Sequence, residues 1–179
     1  MRLFKTSLLT VTALALLMAS CSNQDSNAET AAQQQPESVQ EYNPQYNATF
    51  QTLDGEEIQL SEYAGKMVIL NMWDTWCPPC RQEIPDFIEL YDEYGDQGFE
   101  MIGLAFGREG LPAVKEFIDE YGVNYTNGLM GQDIVAKFGQ PRSIPTTYVI
   151  DQTGNIYKKY IGYKPKSVFE SDIKALLNL

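Results

Sequence analysis

The stretch Met67-Val68-Ile69-Leu70-Asn71-Met72-Trp73-Asp74-Thr75-Trp76-Cys77-Pro78-Pro79-Cys80 decides how this chain folds. Its apolar first half reads as a strand. That strand delivers a Cys-x-x-Cys pair to the first turn of a helix expected over Pro78–Tyr94, so the Cys77 sulfur meets unpaired backbone N–H groups and the positive end of the helix dipole. Cys77 is therefore read as the attacking thiolate. Cys80 lies one turn further in, more buried, and is placed to attack the mixed disulfide formed at Cys77, releasing reduced substrate and leaving a Cys77–Cys80 disulfide. This chemistry needs no cofactor. A purely structural disulfide at this spacing would close too small a loop to stabilise much. A zinc knuckle would need a second ligand pair. The chain has no histidine and its third cysteine, Cys21, is remote, so no metal site is expected.

Working outward, Arg2 and Lys5 precede the apolar run Leu8 to Met18, followed by Ala19-Ser20-Cys21. Charge, hydrophobic core and small residues in that order predict a signal peptide over residues 1–20. The run is too short to span a membrane. The small residues before Cys21 resemble the lipobox of bacterial lipoproteins, with Met18 in place of the usual leucine. That resemblance implies cleavage before Cys21, lipid attachment to its sulfur, and a domain held on the cell membrane facing outside the cytoplasm. An ordinary secretory signal is the other reading. Residues 21–46 hold Gln33-Gln34-Gln35 and almost no large aliphatic side chain, so they are read as a flexible tether. About 23 residues of coil reach roughly 25 Å. The formal charge of −11 becomes −13 if Arg2 and Lys5 are removed with the signal. Nucleic acid is not an expected partner, and membrane attachment should come from the lipid rather than a basic patch.

From Asn47 to Leu179, about 130 residues suit one domain. Alternation around Asp54-Gly55 predicts a short N-terminal hairpin. Ile84, Phe87, Ile88 and Tyr91 form the buried stripe of the helix after the dithiol. Phe99–Phe106 reads as a second buried strand, Leu111–Tyr121 as a second helix, and Gln132–Phe138 as a short third. Strands Thr146–Asp151 and Ile156–Ile161 form a hairpin through Gln152-Thr153-Gly154. The last helix is expected to open on a capping box, Ser167-Val168-Phe169-Glu170, and to bury Phe169, Ile173, Leu176 and Leu177. Alternating elements closed by a hairpin predict an α/β fold, a central mixed sheet with helices on both faces.

With the strand, Trp76-Cys77-Pro78-Pro79-Cys80, Pro85 within the helix and Ser143-Ile144-Pro145-Thr146-Thr147 in view, the region from Asn47 onward resembles the thioredoxin fold. More narrowly, it is similar to the TlpA/ResA-like thiol-disulfide oxidoreductases, with one strand-helix insertion. The resemblance implies that Ile144-Pro145-Thr146 is a cis-proline loop beside the dithiol, leaving the Ile144 backbone free to pair with a substrate strand. A trans proline opening a strand fits the local sequence equally well. Thioredoxins proper carry a buried aspartate where Asn71 stands, and Asn71 cannot titrate. Glu83 matches the glutamate that tunes ResA-like sites, so proton handling is assigned to it. Its other reading is a solvated carboxylate like Asp86 and Glu89. Asp74 stands where the family more often has a small neutral residue: its charge opposes thiolate formation, unless it points into solvent and does little. Trp76 offers substrates an apolar face, while Trp73 suits core packing or contact alike.

The resemblance implies a reductant of disulfides in envelope proteins, in cytochrome c maturation or surface redox repair, fed by a membrane electron donor of the CcdA/DsbD type. The spacing from Cys80 to Pro145 leaves no room for the helical domain of DsbA-like oxidases, although disulfide-forming chemistry itself stays open. A thiol peroxidase would carry threonine where Asp74 stands. From another class, a redox-silent tethered binding module is the competing reading; copper carriers of similar fold add histidine, which is absent here.

Overall fold

The computed structural model describes residues 41–179. The expected signal peptide, Cys21 and most of the tether lie outside the described residues. The described chain forms seven strands, β1 (Thr49–Thr52), β2 (Glu57–Gln59), β3 (Met67–Trp73), β4 (Phe99–Ala105), β5 (Thr126–Leu129), β6 (Thr146–Ile150) and β7 (Ile156–Ile161). Four α-helices accompany them: α1 (Pro78–Tyr94), α2 (Leu111–Tyr121), α3 (Gln132–Phe138) and α4 (Lys166–Leu177). The strands make one sheet in the order β2-β1-β5-β4-β3-β6-β7. It is mixed: β4 pairs parallel with β3 and β5, while β6 runs antiparallel to both β3 and β7. This is the thioredoxin-type α/β architecture with an N-terminal hairpin, β5 and α3 forming the additional unit between α2 and β6.

Strand β3 is buried along its whole length. Its alternate side chains go to opposite faces. Val68, Leu70 and Met72 join Phe50, Ile102, Leu104 and Ile134, whereas Met67 and Ile69 join Phe99 of β4 with Phe87, Phe169 and Ile173 of α1 and α4. Phe87 and Phe169 meet with ring centroids 5.0 Å apart, fastening α1 to α4. Such aromatic pairs contribute about 0.5–1.5 kcal/mol beyond their buried area. On α1 the innermost positions are Cys80, Glu83, Ile84, Phe87, Leu90 and Tyr94, with Ile88 and Tyr91 at the margin of the buried stripe.

Three features depart from what local periodicity assigned, although the expected strand-helix unit is present as β5 and α3. Strand β5 is absent from the periodicity reading because Thr126-Asn127-Gly128-Leu129 has little intrinsic strand preference. Its place is set by its neighbours: a Cβ on Gly128 would lie 2.5 Å from the Gln51 carbonyl oxygen of β1. Second, α4 has no capping box. It starts at Lys166 with Pro165 at its N-cap and no side-chain cap. The Lys166 N–H donates instead to Asp86 Oδ2 of α1 at 3.1 Å, so a tertiary acceptor replaces the local one. Third, packing begins ahead of Asn47. Tyr42 is 8 % exposed within the core, and the Asn43 N–H donates to the Thr153 carbonyl at 2.8 Å. The Tyr42 ring fills a space against Gly154, where an added Cβ would come within 2.6 Å of it. Tyr42→Ala is expected to cost about 3 kcal/mol, read as a lower urea midpoint at unchanged m-value. An unchanged midpoint would return the boundary to Asn47.

Candidate active site

Cys77 occupies the N-cap of α1 with an extended backbone, and Pro78 and Pro79 follow it into the first turn. Neither proline has an N–H to leave unsatisfied. The first available donor is the Cys80 N–H, which points at the Cys77 sulfur at 3.3 Å. On reduction that N–H and the helix dipole favour a thiolate at Cys77. The two cysteines are joined by a disulfide with S–S 2.08 Å. Both cysteines are buried in this oxidised state, Cys77 at 2 % and Cys80 at 1 % exposure. The neighbouring Trp76, by contrast, is 44 % exposed.

Asp74 does not face solvent; it is fully buried. One carboxylate oxygen accepts the Thr75 N–H at 2.9 Å, and the other accepts the Trp76 Nε1–H at 2.8 Å and the Arg108 N–H at 3.3 Å. The loop after β4 folds over Asp74 and supplies that last donor. Both oxygens of the Asp74 carboxylate, three residues before Cys77, are thus held inside the fold by hydrogen bonds. Trp73 is buried against Phe117 and packs in the same cluster as both cysteines, which decides its role as core.

Glu83, one turn beyond Cys80 on the inward face of α1, is 1 % exposed. Its Oε1 accepts the Lys164 N–H at 2.7 Å. Asn71 Nδ2 approaches Oε2 at 3.5 Å and donates more closely to Thr147 Oγ1 at 2.9 Å. Burial pushes the Glu83 carboxyl up to about 7; the Lys164 N–H and the positive charge of Lys164 pull it back only in part, and Asp86 adds to the rise. A carboxyl titrating near neutrality can both take and return a proton. The Tyr125 phenol is pushed upward by burial and by the Glu83 charge, so it stays protonated. Asp86 and Glu89 are engaged with Lys166 at the margin of the helix.

Strand pairing brings the remaining segment to the dithiol. Thr146 lies opposite Met72 at the end of β3, so the residues before it sit beside the segment that leads to Cys77. The Ile144–Pro145 peptide is cis. Thr146 Oγ1–H donates to the Ser143 carbonyl at 2.7 Å and ties the turn. Ile144 packs against the cluster that contains Cys77 and Cys80. Among the described residues neither its N–H nor its carbonyl has a hydrogen-bond partner. Beside it opens a groove of about 160 Å³ lined in part by Trp76, Phe106, Arg108, Gln140, Arg142 and Ile144.

The fold therefore assembles Cys77, Cys80, Trp76, Ile144 and Pro145, with Glu83 behind the helix. Cys21 is outside the described residues. Lys164, Arg108 and Arg142 escaped the sequence reading. Arg142, directly before Ser143-Ile144-Pro145, carried a positional hint. Lys164 and Arg108 carried none, because their positions depend on loops closing over the site. Among the described residues no three of His, Cys, Asp and Glu converge as metal ligands.

Residues 39–159 match the model of the AhpC/TSA family. The chain is 36 % identical over 125 residues to the thiol-disulfide oxidoreductase ResA of Bacillus anthracis, covering 69 % of this chain and 71 % of that one. It is 35 % identical over 131 residues to ResA of Halalkalibacterium halodurans, covering 73 % of each. A crystal structure of a thiol:disulfide interchange protein of the thioredoxin family from Chlorobium tepidum superposes with a TM-score of 0.67 at 32 % identity, covering 76 % of this chain and 99 % of that chain.

Proposed function

Since the chain belongs to the AhpC/TSA family and is a thiol-disulfide oxidoreductase of the ResA kind, we propose that it works as a reductant of protein disulfides outside the cytoplasm. The observation that carries the direction is the pair of buried carboxylates flanking the dithiol, Asp74 before Cys77 and Glu83 after Cys80. Negative charge there disfavours a standing thiolate at Cys77, in competition with the helix N-terminus, while Glu83, pushed up to about 7, can still take the Cys80 proton during exchange. A less stabilised thiolate makes the dithiol more willing to give up its electrons, which lowers the reduction potential. The open Ile144 backbone and the exposed Trp76 support a protein strand as the substrate.

Cys77, Cys80 and Glu83 carry the exchange in this reading, and Trp76, Ile144 and Pro145 hold the substrate. Residues 1–20 act as the signal, Cys21 bears the lipid that keeps the protein at the membrane, and the segment after it is the tether. Electrons reach Cys77–Cys80 from a membrane donor of the CcdA/DsbD type, and pass to disulfides of cytochrome c maturation or surface repair.

Equilibrating the full chain in glutathione and dithiothreitol buffers, with alkylation and mass spectrometry of Cys77 and Cys80, tests the direction. A potential well below that of the glutathione couple is expected. One well above it would make the protein a disulfide donor and overturn the proposal.

A further inference from the structure

Three arginines fall within the described residues, and they differ in how they are held. Arg81 is engaged: its guanidinium donates to Tyr121 Oη at 2.7 and 3.0 Å and lies over the Phe117 and Tyr121 rings. Arg108 and Arg142 have no such hydrogen bonds. Both line the groove bordered by Trp76, which directly precedes Cys77, and by Ile144, which packs against the Cys77 cluster; among the described residues neither guanidinium forms an ion pair or donates a hydrogen bond. This occurs on a chain with a formal charge of −11, where carboxylates are plentiful.

The groove wall is also held in place. Arg108 stacks over the Trp76 ring at 4.9 Å, and the buried Asp74 carboxylate holds both the Trp76 indole N–H and the Arg108 backbone N–H. The acidic neighbour Glu109 is taken by Thr75 Oγ1–H at 2.6 Å and does not line the groove. A stacked guanidinium presents its donor fork with little freedom left to lose, and that fork matches a carboxylate. Repulsion from the acidic remainder of the surface is screened beyond about 8 Å at physiological salt, so groups in contact decide recognition.

We infer that Arg108 and Arg142 make the groove beside Cys77 a recognition site for an acidic stretch of the substrate polypeptide, adjoining the disulfide to be reduced. The inference rests on the reading of Cys77–Cys80 as an exchanger of protein disulfides, and adds the class of substrate. A polypeptide, rather than a small anionic disulfide, is chosen because the unpaired Ile144 backbone at the same groove suits an extended strand.

The test uses two disulfide-linked peptides identical except for Asp or Asn beside the cystine, given to the reduced full chain and to Arg142→Gln and Arg108→Gln/Arg142→Gln variants. The native chain is expected to favour the acidic peptide about tenfold in kcat/KM, the single variant less, and the double variant about equally with the amide peptide. A native ratio near one, or a ratio kept in the double variant, overturns the inference while leaving disulfide reduction standing. Glutathione disulfide showing the same arginine dependence and equal efficiency would assign the groove to a small anion and overturn it too. The same peptides with serine for cysteine, titrated against tryptophan fluorescence, read binding without turnover. Failure to reduce either peptide would refute the exchange reading, and the serine titration would still decide the groove: equal affinity for the Asp and Asn forms overturns the inference, and arginine-dependent preference for Asp upholds it.

Discussion

Cys77→Ser is expected to abolish disulfide reduction, while Cys80→Ser leaves the first step intact and accumulates protein covalently joined to substrate. The Cys77 thiolate attacks one substrate sulfur; the substrate S–S bond breaks, one substrate thiolate leaves, and a Cys77 mixed disulfide forms. The Cys80 thiolate then attacks the Cys77 sulfur, closes the bond seen here, and expels the second substrate thiolate. Two electrons pass to the substrate, whose thiolates take up protons. Each variant should lose turnover by on the order of a thousandfold or more, because the two sulfurs act as one unit. Insulin reduction with dithiothreitol measures the loss, and mass spectrometry detects the trapped adduct of Cys80→Ser alone. A Cys80→Ser protein that turns over at the native rate would sink the two-sulfur mechanism. Folding should survive both changes, since a bridge across so short a loop removes little entropy from the unfolded chain.

The second large effect concerns Glu83. With its carboxyl pushed up to about 7 by burial, the native site changes protonation across neutral pH. Below pH 7 the carboxyl is protonated and cannot accept the proton of the Cys80 thiol; above it the carboxylate can. Resolution of the mixed disulfide should therefore rise with pH through about 7 in the native chain. Glu83→Gln should remove that inflection and lower the rate at neutral pH by about 10²-fold. Stability moves the other way. The folded group binds its proton more tightly than the unfolded one, so its contribution is fully present below the unfolded value near 4.5 and is lost as pH rises through 7. The cost of the buried charge above pH 7 is on the order of 3 kcal/mol. Urea midpoints should thus fall from pH 5 to 8 for the native chain and vary less for Glu83→Gln. Identical pH profiles for the two proteins, in both rate and midpoint, would reduce Glu83 to a packed carboxylate.

Much of the site was legible in the chain because its chemistry is local. An apolar run interrupted only by Asn71, two cysteines at helical-turn spacing and two prolines after the first of them specify strand, N-cap and dithiol without reference to anything distant. Ser143-Ile144-Pro145 was legible as a motif, although both proline isomers fitted it. The α4 start was misread because the local capping signal at Ser167 lost to Asp86, a residue on another helix. Asp74 stood open between two environments until the loop carrying Arg108 supplied its third donor.

Local sequence is enough to specify the connectivity of the reactive unit: β3 leading into a Cys-x-x-Cys at the start of α1, in an α/β domain that ends in a hairpin and a helix. The environment of that unit comes from the assembled fold: the burial of Asp74 and Glu83, the placement of β5, and the meeting of Arg108 and Arg142 at one groove. The physical reason is the range of the forces involved. Helix starts and strand periodicity arise between residues a few positions apart. Desolvation and charge pairing depend on which distant segments close over a group, and those neighbours exist only once the sheet has assembled.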